Sequence, residues 1–124
     1  MTEPLTLSLP LPPNMANARQ HWRVKHRTRK AYLSALDALR SARILPPPPS
    51  APLSPVVLSS TLYLWAHMDD DNALARIKYA ADWLVRSGYL VDDKRPHCRF
   101  TVPEQAIDRT DPRLVITLTP QEAA

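Results

Sequence analysis

The sequence predicts a small α+β (mixed α/β) domain with the order β-α-β-α-β-β, a mixed sheet and two main helices. Three observations carry this expectation. The 124 residues suit one hydrophobic core, hence a single domain over residues 1–124. Hydrophobic residues make up 44% and charged residues 23%, the balance of a chain that folds rather than one that stays disordered. Segments of alternating or β-branched character are interleaved with two in which apolar residues recur at helical spacing.

Residues 4–9, PLTLSL, alternate loosely and end at Pro10, Pro12 and Pro13, as a short strand entering a rigid turn would. Residues 14–26 are polar and basic and fit either a loop or the first turns of a helix. From Thr28 a helix is expected, because Tyr32, Ala35, Leu36 and Leu39 share one face. It must stop by Leu45, since Pro46 to Pro49 cannot continue it. Residues 46–55 contain six prolines and read as a stiff polyproline connector. Residues 56–67, VVLSSTLYLWAH, have the β-branched and aromatic content of a central strand. After MDDDN (68–72), Leu74, Ile77, Ala81, Leu84 and Val85 fall on one helical face, placing the strand-to-helix junction at 71–72, and Gly88 supplies the stop. Residues 89–93 turn into a strand around Cys98–Val102, and RLVITL (113–118) is the final strand.

Composition excludes several classes. A single Gly cannot build a phosphate loop or a dinucleotide fingerprint. The lone Cys98 has no internal disulfide partner, which suits a reducing, cytoplasmic setting. No signal-peptide pattern and no run of about 18 apolar residues is visible, so no membrane association is expected.

Charge is unevenly distributed. Residues 19–43 carry eight basic side chains against the single acid Asp37, a net +7, whereas the remainder is net −3. A basic third beside an acidic remainder suits a polyanion surface next to a site that uses carboxylates, although a solvated helix face has the same composition. Of the three tryptophans, Trp65 and Trp83 read as core; Trp22 sits among Arg and Lys, where its ring can stack on a base or sugar. His21, His26, His67 and His97 have no zinc-ligand spacing and read as surface or phosphate contacts.

The acidic run Asp69, Asp70, Asp71 is self-repelling unless a cation sits among the carboxylates. On extended backbone Asp69 and Asp71 point the same way, about 7 Å apart, and Asp70 points oppositely. Such oxygens suit Mg²⁺ or Mn²⁺, which take one or two carboxylates plus water and phosphate oxygens. The bland alternative is that Asp71 or Asn72 caps the helix. Asp92 and Asp93 form a second acidic pair, readable also as a surface turn, and Lys78 lies nearly two turns into the helix on the side of the acidic run.

DDDN followed by a helix carrying Lys78, then SGYLVDD, resembles the RusA family of phage and prophage Holliday junction resolvases. LPLPPN, the basic NARQHWRVKHRTRKAY and the terminal RLVITL are similar to that family's Pro-Pro turn, basic arm and closing strand. The resemblance implies a RusA-like fold and a Mg²⁺-dependent, homodimeric endonuclease that cuts four-way DNA junctions by symmetric nicks, in the cytoplasm of a bacterial host. Asp69 and Asp71 match its paired metal-binding aspartates, Asp93 the third catalytic aspartate and Lys78 the helical lysine, with Asp70 and Asp92 as alternate ligands. The spacing from Asn72 to Lys78 is wider than the family pattern.

DNA contacts are then expected from Arg19, His21, Trp22, Arg23, Lys25, Arg27, Arg29 and Lys30. A two-fold dimer matches paired cuts on two strands. A helix over 73–87 carries the chain about 22 Å away from Asp71, and residues 88–93 return about 20 Å only when fully extended. Asp93 is therefore expected to serve the other subunit's site. The competing readings are a non-catalytic dimer that binds branched DNA and a nuclease for forks or flaps.

Overall fold

The computed structural model describes residues 3–14 and 22–122. Seven elements follow in order: strand β1 (Leu5–Leu9), helix α1 (Trp22–Ser41), strand β2 (Val56–Leu64), helix α2 (Asp70–Arg86), and strands β3 (Cys98–Phe100), β4 (Glu104–Ile107) and β5 (Arg113–Pro120). The fold is α+β, a mixed five-stranded sheet with two helices.

The sheet runs β1-β5-β2-β3, and β4 also pairs with β2. β5 is antiparallel to both β1 and β2. β3 and β4 both run parallel to β2, β3 beside Val56–Leu58 and β4 beside Thr61–Leu64. They are two halves of one edge, broken where Pro103 has no N–H to donate to a ladder.

β2 alternates buried and half-buried residues along its whole length. Leu58, Leu62 and Leu64 face inward with Leu7 and Leu9 of β1 and Leu114, Ile116 and Leu118 of β5. They share one core with Tyr32, Leu33 and Leu36 of α1 and with Ala73, Ile77, Ala80, Ala81, Trp83 and Leu84 of α2. The opposite face, with Val57, Ser59, Thr61, Tyr63, Val115, Thr117 and Thr119, is half-buried.

Three expectations are corrected. The strand Glu104–Ile107 has no alternation of its own and is held only by its ladder to β2, so the segment EQAI carried no visible strand signal. The strand at Cys98 ends at Phe100 rather than Val102. α1 begins at Trp22, not Thr28, and the Thr28 hydroxyl donates to the Val24 carbonyl one turn earlier (2.9 Å), as an interior threonine does. α1 stops before Leu45, as expected: it ends at Ser41 and Arg43 adopts φ 61°, with Ile44 N–H donating to Leu39 O and Arg43 N–H to Arg40 O (both 3.0 Å).

The proline-rich segment is a packed connector. Leu53 N–H donates to Tyr89 O (2.9 Å), Val91 N–H to Leu53 O (3.1 Å), and the Tyr89 hydroxyl to Pro46 O. Among the described residues, no helix is long and apolar enough to cross a membrane.

Candidate active site

The acidic run sits where β2 hands over to α2. The helix begins at Asp70 with Asp69 as its N-cap residue, so the junction lies before the 71–72 position read from the sequence. Asp69 retains extended backbone (φ −64°, ψ 145°), but Asp70 and Asp71 belong to the first helical turn. Acidic residues there are favoured by the unpaired N–H groups and the positive end of the helix dipole. The extended alternation expected of Asp69 and Asp71 is therefore replaced by an N-cap and first-turn arrangement. Asp69 makes no side-chain capping bond, and Asp71 Oδ1 accepts from Asn72 N–H at 3.1 Å. All three carboxylates are exposed. Capping thus uses none of them fully, and their hard oxygens remain open to a cation.

The loop before them is clamped from β4. Gln105 Oε1 accepts from Met68 N–H, and Gln105 Nε2 donates to Met68 O, each at 2.8 Å. This two-point contact holds the main chain next to Asp69. Arg76 ties the same region to the Pro-Pro turn: its Nε donates to Pro12 O (2.9 Å), and a terminal nitrogen lies 3.6 Å from Met68 Sδ. The Tyr32 hydroxyl donates to Pro10 O at 2.8 Å, so both helices grip the turn. Burial lowers the pKa of Arg76 and raises that of Tyr32, and each is partly offset by the charge of the other.

Between these elements lies a cleft of about 300 Å³ lined by Pro13, Asn14, Lys25, Asn72, Arg76 and Lys78 among others. Lys78 stands two turns beyond Asp71 on the same helical face, about 10 Å along the axis. Asp82, which also lines the cleft, is held by an ion pair to Arg29 of α1 at 3.0 Å. Of the basic residues read as DNA contacts, Lys25 lines the cleft, Arg29 is engaged by Asp82, and Arg23, Arg27 and Lys30 are exposed. Trp22 is exposed with the Arg23 guanidinium 5.5 Å from its ring centre. Arg19 and His21 lie outside the described residues.

Asp93 occupies a different place. It lines a second cleft, of about 400 Å³, with Leu74, Lys78, Lys94, Arg95, Arg99 and Phe100. Its N–H donates to Asp92 Oδ1 at 2.7 Å. Burial first, and then a side-chain hydrogen bond with the Asp92 carboxylate, push the Asp93 carboxyl up; that side-chain bond first, helped by the N–H groups of Asp93 and Lys94, holds Asp92 down. Among the described residues no group of three or more His, Cys, Asp or Glu side chains is placed to hold a metal ion. Asp69, Asp70 and Asp71 are thus neighbours along the chain at the start of α2 without forming a three-ligand group, and Asp93 lines a different cleft, with Lys78. The donor chemistry at the helix start still fits Mg²⁺ or Mn²⁺, which need only one or two protein carboxylates.

Sequence reasoning missed several residues. Arg76 follows Asn72 by one helical turn, a signal of shared orientation that was legible. Gln105 belongs to the unrecognised β4, so its role had no antecedent in the local pattern. Trp65, read as core, is 62% exposed, with the Arg109 guanidinium 5.5 Å from its ring centre. Trp83 is core as expected, its Nε1 donating to Asp37 at 2.8 Å. His26 and His67 are exposed, and His97 Nδ1 pairs with the Ser54 hydroxyl at 2.8 Å. Comparison with protein-family models and with curated proteins finds no match to this chain.

Proposed function

We propose that this chain is a Mg²⁺-dependent endonuclease of the RusA type that resolves four-way DNA junctions by symmetric nicks, acting as a homodimer in the cytoplasm of a bacterial host. One observation carries the reading. The Pro-Pro turn, the basic helix, Asn72 of the DDDN run and Lys78 line one cleft, although they are far apart in sequence.

In this reading Asp69 and Asp71, with Asp70 as the alternate, hold Mg²⁺ or Mn²⁺, and Asp93 serves the site of the other subunit, with Asp92 as its alternate. The metal supplies activation of water and charge stabilisation at the scissile phosphate. Lys78 sets a positive charge on the same helical face, where it stabilises negative charge gathered on the phosphate. The cations of α1 neutralise neighbouring phosphates without reading sequence. Recombination and repair intermediates are the DNA forms that carry such junctions.

A second reading, a non-catalytic dimer that binds branched DNA, is favoured by the absence of a three-ligand group among the described residues of one chain. The test is cleavage of a labelled four-way junction with Mg²⁺, alongside linear duplex, a fork and a flap, with Asp71→Asn as control. Paired symmetric nicks in the junction, lost in the variant, are expected. Binding without cutting in either Mg²⁺ or Mn²⁺ would establish the second reading, and preferential cutting of forks or flaps would replace resolvase with a nuclease for those forms.

A further inference from the structure

The cleft between α2 and β3 has a charge that the acidic reading of Asp93 does not explain. Lys78, Lys94, Arg95 and Arg99 line it together with Asp93, whose N–H is bonded to Asp92, so four cations stand against two carboxylates. All four are exposed, and none takes part in the ion pairs found among the described residues. Their repulsion is relieved only in part by the two carboxylates, which favours an anion in the cleft. Leu74 and Phe100 add apolar surface to its lining, which lowers the local dielectric and strengthens such an attraction.

Lys78 also lines the first cleft, with Lys25 and Arg76. The two clefts thus meet at one lysine, and cations continue from α1 across α2 to the β3 edge. A row of separate positive groups along a shallow path matches the repeating phosphates of a nucleic-acid strand better than a single compact anion.

We infer that the α2–β3 cleft is a second phosphate-binding site, in which Lys94, Arg95 and Arg99 hold the backbone of the DNA strand that passes Lys78. This inference rests on the nucleic-acid part of the proposed function and not on its metal chemistry. It extends the DNA surface beyond residues 19–30 to the opposite side of α2.

The test measures binding of a four-way junction and of linear duplex in EDTA across a salt series, for wild type and Lys94→Gln/Arg99→Gln. Arg40→Gln/Arg109→Gln, with the same loss of charge elsewhere, serves as control. Each phosphate contact contributes about 0.9 to the slope of log K against log salt on duplex DNA, so the cleft variant should flatten the slope by about 1 to 2. Lys94→Arg/Arg99→Lys should restore it, and matched melting curves separate this effect from misfolding. A slope change no larger than the control's overturns the inference, as does a wild-type chain that binds neither DNA. A variant that alters only self-association, measured by sedimentation, would assign the cleft to a second copy instead. Junction cleavage in Mg²⁺ is scored separately: cutting with an unchanged slope defeats the cleft, and a flattened slope without cutting defeats the nuclease.

Discussion

Arg43 and Gly88 hold the same position in two helix endings, at φ 61° and 88°. At α2, Tyr89 N–H donates to Leu84 O (2.9 Å) and Gly88 N–H to Val85 O (3.3 Å), repeating the pattern that Arg43 completes at α1. Only glycine adopts this backbone without a Cβ penalty. Arg43→Gly should therefore stabilise the chain by about 0.5–1 kcal/mol, read as a higher urea midpoint. Gly88→Ala should cost about 1 kcal/mol. A Cβ there has room, meeting only Pro48 Cβ at 4.0 Å, so the cost is conformational.

Asp108 makes a prediction of another kind. It accepts from Arg113 (2.9 Å), the Thr110 hydroxyl (2.8 Å) and the N–H groups of Thr110 and Asp111 (both 3.1 Å). The Arg113 bond first, and then the others, pull its pKa down to about 2. A depressed folded-state value contributes stability above the unfolded pKa of about 4 that is lost as pH falls toward 2. Melting temperature should decline across that window, and Asp108→Asn should flatten the decline.

At the scale of elements, the site depends on strands and helices that share no sequence neighbourhood. β4 is short, yet Gln105 on it holds both main-chain polar groups of Met68, one residue before the acidic run. Gln105→Leu should remove two hydrogen bonds, at a cost of about 1–3 kcal/mol. Its effect as a positioning residue should appear as a reduced cleavage rate constant at saturating DNA with DNA affinity retained. Gln105→Glu, which keeps the acceptor for Met68 N–H, should recover part of that rate. Equal loss of affinity and rate would mark a general loosening of the fold.

The two helices were legible because Tyr32, Leu36 and Leu39, and Leu74, Ile77, Ala81 and Leu84, repeat at the period of a helix. β4 was not, because its pairing with β2 is long-range and its four residues carry no alternation. The early start of α1 was obscured by its polar first turns, which face water and leave no apolar stripe.

At the scale of the whole molecule, one sheet face carries both helices and the clefts open along α2. Asp93 lines a cleft with Lys78 rather than lying with Asp69, Asp70 and Asp71, and in the proposed two-fold dimer it would serve the other subunit's acidic run. Mixing Asp71→Asn with Asp93→Asn chains decides this. If sites are shared, a heterodimer contains one intact centre and nicking returns, though each variant alone is inactive. With heterodimers confirmed by mass, continued inactivity assigns Asp93 to its own subunit.

The sequence by itself determined what depends on local pattern: the fold class, the two helices, the strands with strong alternation, the Gly88 stop and the acidic run before a helix. Tertiary structure alone decided which of those pieces meet. Arg76 reaching Pro12, Gln105 clamping Met68, Lys78 joining two clefts and Asp93 lying among cations all involve contacts whose partners are set by the sheet order and the packing of α1 against α2. Periodicity reports which face of an element is apolar; it carries no information about which distant element covers that face.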